Sequence, residues 1–219
     1  MKSAMYGVVA ISAAAVGFAV YRLVLAPVVT PPAAEVVRTP AEQLPEPTTS
    51  AVSGIPTELP EFSLADRDGK MTSIRSWSGK SMIVNFWATW CGPCRREIPL
   101  LKEIQKANGP AGFQVVGIAV DRRDEVLKYA QDMKIDYPIL IGEQEGLDAV
   151  NLFGLESIGF PFTVFTDQQG RIVLTHLGEL TKAQSKVMLD AVTRVNSGEL
   201  TPVTARTVVA QQLSELHTS

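Results

Sequence analysis

Hydrophobic and polar positions change rhythm several times along this chain. From Ala4 to Tyr21 no residue is charged, Arg22 interrupts, and Leu23 to Val29 is apolar again. About 20 apolar residues cross a hydrocarbon core of about 30 Å, whereas a cleaved secretory signal has an apolar region of only about 7 to 15 residues before a small-residue cleavage site. Here Ala13, Ala14 and Ala15 lie inside the run. Residues 1–29 are therefore read as one uncleaved transmembrane helix, ahead of a cleaved signal or a buried core helix. Lys2 and Arg22 lie towards opposite ends and leave its orientation open. Pro27 to Pro60 then holds eight of the fourteen prolines, among Thr, Ala, Glu and Ser. Such a composition buries no core and favours extended segments, so residues 30–59 read as a spacer.

After Pro60 the pattern turns globular. Phe62 and Leu64 alternate with polar residues, Asp66-Arg67-Asp68-Gly69 supplies turn chemistry, and Met71 and Ile74 follow, which predicts a short hairpin. Met82 to Ala88 is apolar except for Asn85, as a strand covered on both faces would be. The spacing of Ile98, Leu101 and Ile104 predicts a helix from Gly92 to about Ala107, kinked at Pro99. A strand over Phe113–Val120 ends at Asp121. A helix over about Asp124–Met133 leads to a strand over Tyr137–Ile141 and a helix over Leu147–Phe153. Two further strands, Phe162–Phe165 and Ile172–Thr175, are joined by the turn Asp167-Gln168-Gln169-Gly170. The closing helix presents Val187, Met188, Ala191, Val192 and Val195 and ends near Gly198. Residues 60–197 thus predict an α/β domain with a mixed sheet. In the extension, residues 198–219, Thr201-Pro202 caps a short helix with Val209, Leu213 and Leu216 on one side, read as docked on the domain or disordered ahead of an interaction helix.

Composition narrows the function. The 219 residues suffice for one ordinary domain with appendages. A net charge of -3 and a pI near 5.5 leave no basic footprint for nucleic acid. Cys91 and Cys94 are the only two cysteines, so the pair is either a redox dithiol or half of a metal site. A structural zinc site needs four ligands, and the other soft candidates, His176 and His217, fall in a predicted strand and near the terminus. His176 reads as a strand or surface residue.

A Cys-x-x-Cys where a buried strand meets a helix puts its first sulfur at unpaired backbone N–H groups. The helix dipole favours a thiolate there, so Cys91 is expected to have a pKa below the roughly 8.5 of a free thiol and to act as nucleophile. Cys94, one turn in, lies under it and resolves the mixed disulfide. Pro93 costs little in a first helical turn and stiffens the loop between the sulfurs. Arg95 and Arg96 read as solvated charges, with polarisation of Cys91 or of an acidic partner as the alternative. Trp87 reads as core and Trp90 as an apolar rim around the sulfurs.

Trp90-Cys91-Gly92-Pro93-Cys94 resembles the thioredoxin active site. Asn85-Phe86-Trp87-Ala88-Thr89-Trp90-Cys91, with Glu97 and Pro99, resembles the membrane-anchored TlpA/ResA-like branch. The resemblance covers about Pro60 to Ser197. It implies a thioredoxin fold, a mixed central sheet flanked by helices, with an N-terminal β-hairpin and a strand-helix segment inserted at about Ile135–Phe153. Gly159-Phe160-Pro161-Phe162-Thr163 matches the family's cis-proline loop, which implies Pro161 against the sulfurs and the Phe160 backbone beside an extended substrate. An X-Pro bond is the one place where a cis peptide is cheap. Phe160 departs from the smaller or β-branched residue often found before that proline. Thioredoxins proper carry a buried Asp where this chain has Asn85, which takes up no proton. Glu97 matches the buried acid of ResA-like proteins and shares a helix face with Cys94. It is expected to accept the Cys94 proton with a pKa raised by burial, against the plainer reading of a solvated helix glutamate.

These expectations add up to a membrane-tethered thiol-disulfide oxidoreductase that reduces protein disulfides, with Cys91, Cys94, Glu97 and Pro161 catalytic and Trp90, Gly92, Pro93 and Phe160 facing substrate. The expected setting is a bacterial inner membrane, the chain a single-pass monomer with its domain in the periplasm. No cofactor is expected beyond the Cys91–Cys94 disulfide. The resemblance implies a membrane electron donor of the thiol-disulfide transporter type, and substrates such as apocytochrome c or copper-site assembly proteins. Gly-Pro between the cysteines is the thioredoxin dipeptide, and thioredoxin is a reductant at about -270 mV against about -120 mV for the strong oxidants of its fold. The rival readings are a disulfide-forming oxidase and a copper-binding metallochaperone or adaptor. A peroxidase is disfavoured because no Pro-x-x-x-Thr-x-x-Cys pattern surrounds either thiol.

Overall fold

Two strands, β3 (Ser81–Trp87) and β4 (Phe113–Ala119), are buried along their whole length and run parallel at the centre of a seven-stranded sheet. The computed structural model describes residues 54–155 and 159–218. The expected membrane anchor, residues 1–29, and residues 30–53 of the spacer lie outside the described residues. Among those described, no helix is long and apolar enough to cross a membrane.

In chain order the elements are β1 (Ser63–Ala65), β2 (Met71–Ser73), β3, α1 (Gly92–Asn108), β4, α2 (Arg123–Asp132), β5 (Ile139–Ile141), α3 (Gln144–Asn151), β6 (Phe162–Thr166), β7 (Ile172–Leu177), α4 (Lys182–Asn196) and α5 (Pro202–Thr218). The sheet order is β2-β1-β5-β4-β3-β6-β7. β5 is parallel to β4, while β1, β2, β6 and β7 are each antiparallel to their neighbours. This is the thioredoxin-like mixed sheet, with the β1–β2 hairpin on one flank and the inserted β5–α3 segment between hairpin and centre. The predicted elements are all present. α3 begins three residues before the predicted Leu147, and α1 continues through Pro99 as one helix.

Strand periodicity sorts the core. Ile83 and Trp87 point to one face, where Cys94, Ile98 and Leu101 of α1 pack with Val126 of α2 and Met188 and Val192 of α4. Val84 and Phe86 point to the other, against Val116, Leu140, Phe153 and Phe162. Phe86 meets Phe153 edge-on at 5.5 Å and stacks on Phe162 at 5.8 Å. The tight turn after β6 is held by Asp167, whose Oδ1 accepts from the N–H groups of Gln169 and Arg171, and Gly170 adopts the left-handed backbone the turn requires. A reciprocal cap between Thr181 and Gln184 starts α4.

Both segments flanking residues 60–197 contribute contacts. Leu59 is buried, and Thr57 accepts a backbone hydrogen bond from Ile172 at 2.8 Å. α5 is longer than the short helix predicted, and it docks: Ala205 and Val209 are buried, and the Arg206 guanidinium donates to the carbonyls of Ile172 and Val173.

Candidate active site

At the C-terminal end of β3 the chain leaves the sheet through Ala88-Thr89-Trp90 and enters α1 at Cys91. The turn is tied twice. Cys91 N–H donates to the Ala88 carbonyl at 3.2 Å, and Asp121, just beyond β4, accepts from both the backbone N–H (3.0 Å) and the hydroxyl of Thr89 through Oδ2. The other Asp121 oxygen accepts from Arg122 N–H at 2.7 Å. In the sequence Asp121 marked only the end of a strand. Its further role follows from the parallel register of β3 and β4, which brings their C-terminal ends together.

Cys91 is the N-cap of α1, and its Sγ accepts from the backbone N–H of Cys94 at 3.3 Å. The two cysteines form a disulfide with an S–S distance of 2.05 Å. Their surroundings are unequal: Cys91 keeps 6% of its surface exposed and Cys94 none. An incoming sulfur therefore meets Cys91 first. Gly92 is exposed, and Pro93 occupies the first turn, where its missing N–H costs nothing.

The Phe160–Pro161 peptide is cis. Phe162 pairs with Phe86, so buried Pro161 stands at the level of Trp87, at the sheet end from which Cys91 emerges. Trp90 is 68% exposed and meets the Phe160 ring edge-on at 6.1 Å. The two aromatics form one wall of an open cleft of about 790 Å³, whose other lining includes Val120, Asp121, Glu143 and Leu147. The β5–α3 insertion thus supplies one bank of the cleft, opposite the wall that Trp90, the residue before Cys91, helps to form. Trp87 is fully buried, as expected of core.

Beneath the disulfide, Glu97 is 1% exposed. Its Oε1 accepts from Asn85 Nδ2 at 2.7 Å and its Oε2 from the backbone N–H of Leu180 at 2.8 Å. Burial opposes the charge more than these two donors favour it, and the neighbouring Glu179 adds to the effect, so the carboxyl pKa is pushed up to about 7. The plainer reading of Glu97 as a solvated helix residue is incompatible with this burial. Cys94 and Glu97 share the buried face of α1.

Both arginines are exposed, as the sequence reading expected, and each has a surface partner. Arg96 pairs with Glu179 at 2.6 Å, and Arg95 lies over the Tyr129 ring at 5.7 Å. His176 sits half-buried in β7, its pKa lowered by burial, with Nε2 3.4 Å from the Glu179 carbonyl. Among the described residues no three His, Cys, Asp or Glu side chains gather as a metal site.

A mixed sheet of this topology, a helix capped by the outer of two bonded cysteines, a cis-proline loop at the same sheet end and a buried acid define a thioredoxin-fold thiol-disulfide oxidoreductase. The chain belongs to the AhpC/TSA family, whose model matches residues 55–175. It is 28% identical over 137 residues to the thiol-disulfide oxidoreductase ResA of Bacillus thuringiensis subsp. konkukian, covering 62% of this chain and 77% of that one. The thioredoxin-like protein YneN of Bacillus subtilis is 32% identical over 136 residues, 61% of this chain and 77% of its own. Among solved structures, a thiol:disulfide interchange protein of the thioredoxin family from Chlorobium tepidum superposes with a TM-score of 0.53 at 39% identity, covering 58% of this chain and 90% of that one.

Proposed function

We propose that this protein reduces disulfides of other proteins, held by its N-terminal segment at a bacterial inner membrane with the thioredoxin-like domain in the periplasm. The observation that carries the exchange chemistry is the pairing of an outer sulfur at a helix N-terminus with a fully buried second sulfur one turn from a carboxyl whose pKa lies near neutrality, and the Gly92-Pro93 dipeptide of thioredoxin between the sulfurs supports the reducing direction. The Cys91 thiolate attacks one sulfur of a substrate disulfide, that S–S bond breaks, and the other substrate sulfur leaves as thiolate. Cys94 gives its proton to Glu97 and attacks Cys91 Sγ. The mixed disulfide breaks and the second substrate sulfur departs. Two electrons have then passed to the substrate, and the protein holds the Cys91–Cys94 bond present in this structure.

The cysteines carry the electrons themselves, with no further cofactor. An external dithiol donor, of the membrane thiol-disulfide transporter type, must regenerate them. The cleft walled by Trp90 and Phe160 receives an extended segment around the substrate cysteine, with the Phe160 backbone beside it. Substrates of the apocytochrome c or copper-site assembly class suit an outward-facing reductant. The single-pass anchor, residues 1–29, and the spacer, residues 30–59, would let a monomer reach them.

Trapping tests the reading. Cys94→Ser removes the resolving thiol, so Cys91 is expected to remain covalently attached to periplasmic proteins bearing paired cysteines, released by dithiothreitol. Equilibration with glutathione is expected to give a potential on the thioredoxin side of the scale. A potential near that of the strong oxidants of the fold, about -120 mV, would reverse the assigned direction.

A further inference from the structure

The hydrogen bonds around Glu97 suit only one of its two protonation states. Asn85 Nδ2 donates both to Glu97 Oε1 (2.7 Å) and to Thr163 Oγ1 (3.0 Å), and Leu180 N–H donates to Oε2. Both hydrogen bonds to the carboxyl come from N–H donors. Asn85 Oδ1, by contrast, is buried and has no hydrogen-bond partner among the described residues. Asn85, Thr163 and Glu97 are all essentially inaccessible to water, so bulk solvent does not correct a mismatch.

Protonating Glu97 creates an O–H that neither of its two hydrogen-bond partners, both N–H donors, accepts. The Thr163 hydroxyl, which accepts from Asn85, also carries a hydrogen to place. Rotating the Asn85 amide by half a turn exchanges its two ends: Oδ1 then faces the Glu97 acid and the Thr163 hydroxyl and accepts from both. The register supports the arrangement, since Asn85 on β3 lies directly opposite Thr163 on β6, and neither backbone needs to move. A carboxylate needs the amide as a donor, whereas the acid and the hydroxyl need it as an acceptor.

We propose that the Asn85 side-chain amide reverses when Glu97 takes up a proton, presenting Nδ2 to the carboxylate and Oδ1 to the acid. Asn85 is thereby a positioning residue for the proton transfer from Cys94 and does not itself exchange a proton. The inference rests on Glu97 as the proton acceptor of the resolving step. The other charged or titratable neighbours do not duplicate this role. Glu179, beside Leu180, is engaged by Arg96 at 2.6 Å, and Cys94 lies one turn back on α1. Tyr137, preceding β5, interacts with Glu97 through charge alone, with Arg67, Asp136 and Tyr129 around it.

The test is a pH titration of the oxidised full-length protein by NMR, with the Asn85 amide hydrogens as probe. Above the Glu97 midpoint these hydrogens should show strong cross-peaks to the Thr163 side chain, and below it the cross-peaks should weaken with the same midpoint. In Glu97→Gln the Leu180 N–H holds the new amide's oxygen, so its NH2 faces Asn85 and the cross-peaks should be weak at every pH. Cross-peaks that stay strong throughout the wild-type titration overturn the reversal, and because no turnover is involved they leave the proposed reductase activity untouched. A kinetic arm uses Asn85→Ala. Hydrogen bonds to charged groups are worth more than neutral ones, so the pH midpoint of mixed-disulfide resolution should rise by about one unit. A rate lowered equally at all pH values, with the midpoint unmoved, would mean that Asn85 only packs against Glu97, and would also overturn the proposal.

Discussion

Leu180 donates its backbone N–H to Glu97 Oε2 at 2.8 Å, joining the loop before α4 to a carboxyl 83 residues earlier in the chain. With Asn85 on Oε1, each carboxylate oxygen has a donor, yet the pKa still rises to about 7. Desolvation outweighs two hydrogen bonds because the alternative to burial is full hydration of a charge. The result is a base that is about half ionised at neutral pH, the condition under which proton transfer is most effective.

Glu97 should therefore make stability depend on pH. Its folded pKa of about 7 lies above its ordinary 4.5, so the folded state binds more protons between these values. Stability contributed by the neutral carboxyl is fully present below pH 4.5 and lost as pH rises through 7. Two and a half units correspond to on the order of 3 kcal/mol. Urea unfolding of the oxidised protein at pH 5 and pH 8 should show Glu97→Gln gaining about that much on wild type at the higher pH. Parallel pH dependences for the two proteins would contradict the shifted carboxyl.

The resolving step should follow the same group. Below pH 7 the rate of mixed-disulfide resolution should fall about tenfold per unit as the base becomes protonated. Glu97→Gln should lower the rate at pH 7.5 by about 10²-fold and flatten the profile, while the first attack by Cys91 changes little. Stopped-flow release of a fluorescent thiol from a preformed mixed disulfide separates the two steps.

The strand and helix pattern was legible because each element had a clean period. Met82–Ala88 announced a strand buried on both faces, and Ile98, Leu101 and Ile104 announced a helix face. The cysteine pair and Pro161 stood out for a different reason, since few residue types do their chemistry. What remained hidden was contact at a distance. Asp121 as the anchor of Thr89, Thr163 as the partner of Asn85 and the Leu180 N–H on Glu97 depend on strand register and loop closure, which leave no trace in local spacing. The partner of Arg96 was hidden because an exposed arginine in a first helical turn looks the same whether or not a distant Glu179 comes to meet it. Docking of α5 through Val209 agrees with the sequence reading, whereas its full length and the bonds from Arg206 to the carbonyls of Ile172 and Val173 were not legible.

That attachment is testable by comparing two valines on one helix. Val209 is buried and Val203 is 71% exposed. Val209→Ala removes about two buried methyl equivalents and leaves a small cavity, a loss of about 2 kcal/mol or roughly 4–8 °C in Tm. Val203→Ala should stay within about 0.5 kcal/mol of wild type. Equal effects of the two changes, read by thermal unfolding, would mean that α5 does not pack as described.

Asp121 should matter to the first attack, although it touches neither sulfur. Its carboxylate holds the Thr89 N–H and hydroxyl, and so fixes the turn that delivers Cys91 to the head of α1. Asp121→Ala leaves a half-buried N–H without its acceptor, a cost of about 1 to 3 kcal/mol, and frees the turn to move. Thr89→Val removes only the hydroxyl contact, so its effect should be smaller and in the same direction. The rate of Cys91 alkylation in the reduced protein should drop several-fold in Asp121→Ala, while resolution, governed by Glu97 on the buried side, should keep its pH midpoint. Asp121 also lines the cleft, and a contact with substrate would predict something different: unaltered alkylation by a small reagent with a loss confined to protein substrates. Measuring small-reagent and protein-disulfide rates on the same variants therefore decides whether Asp121 acts through the turn or through the cleft.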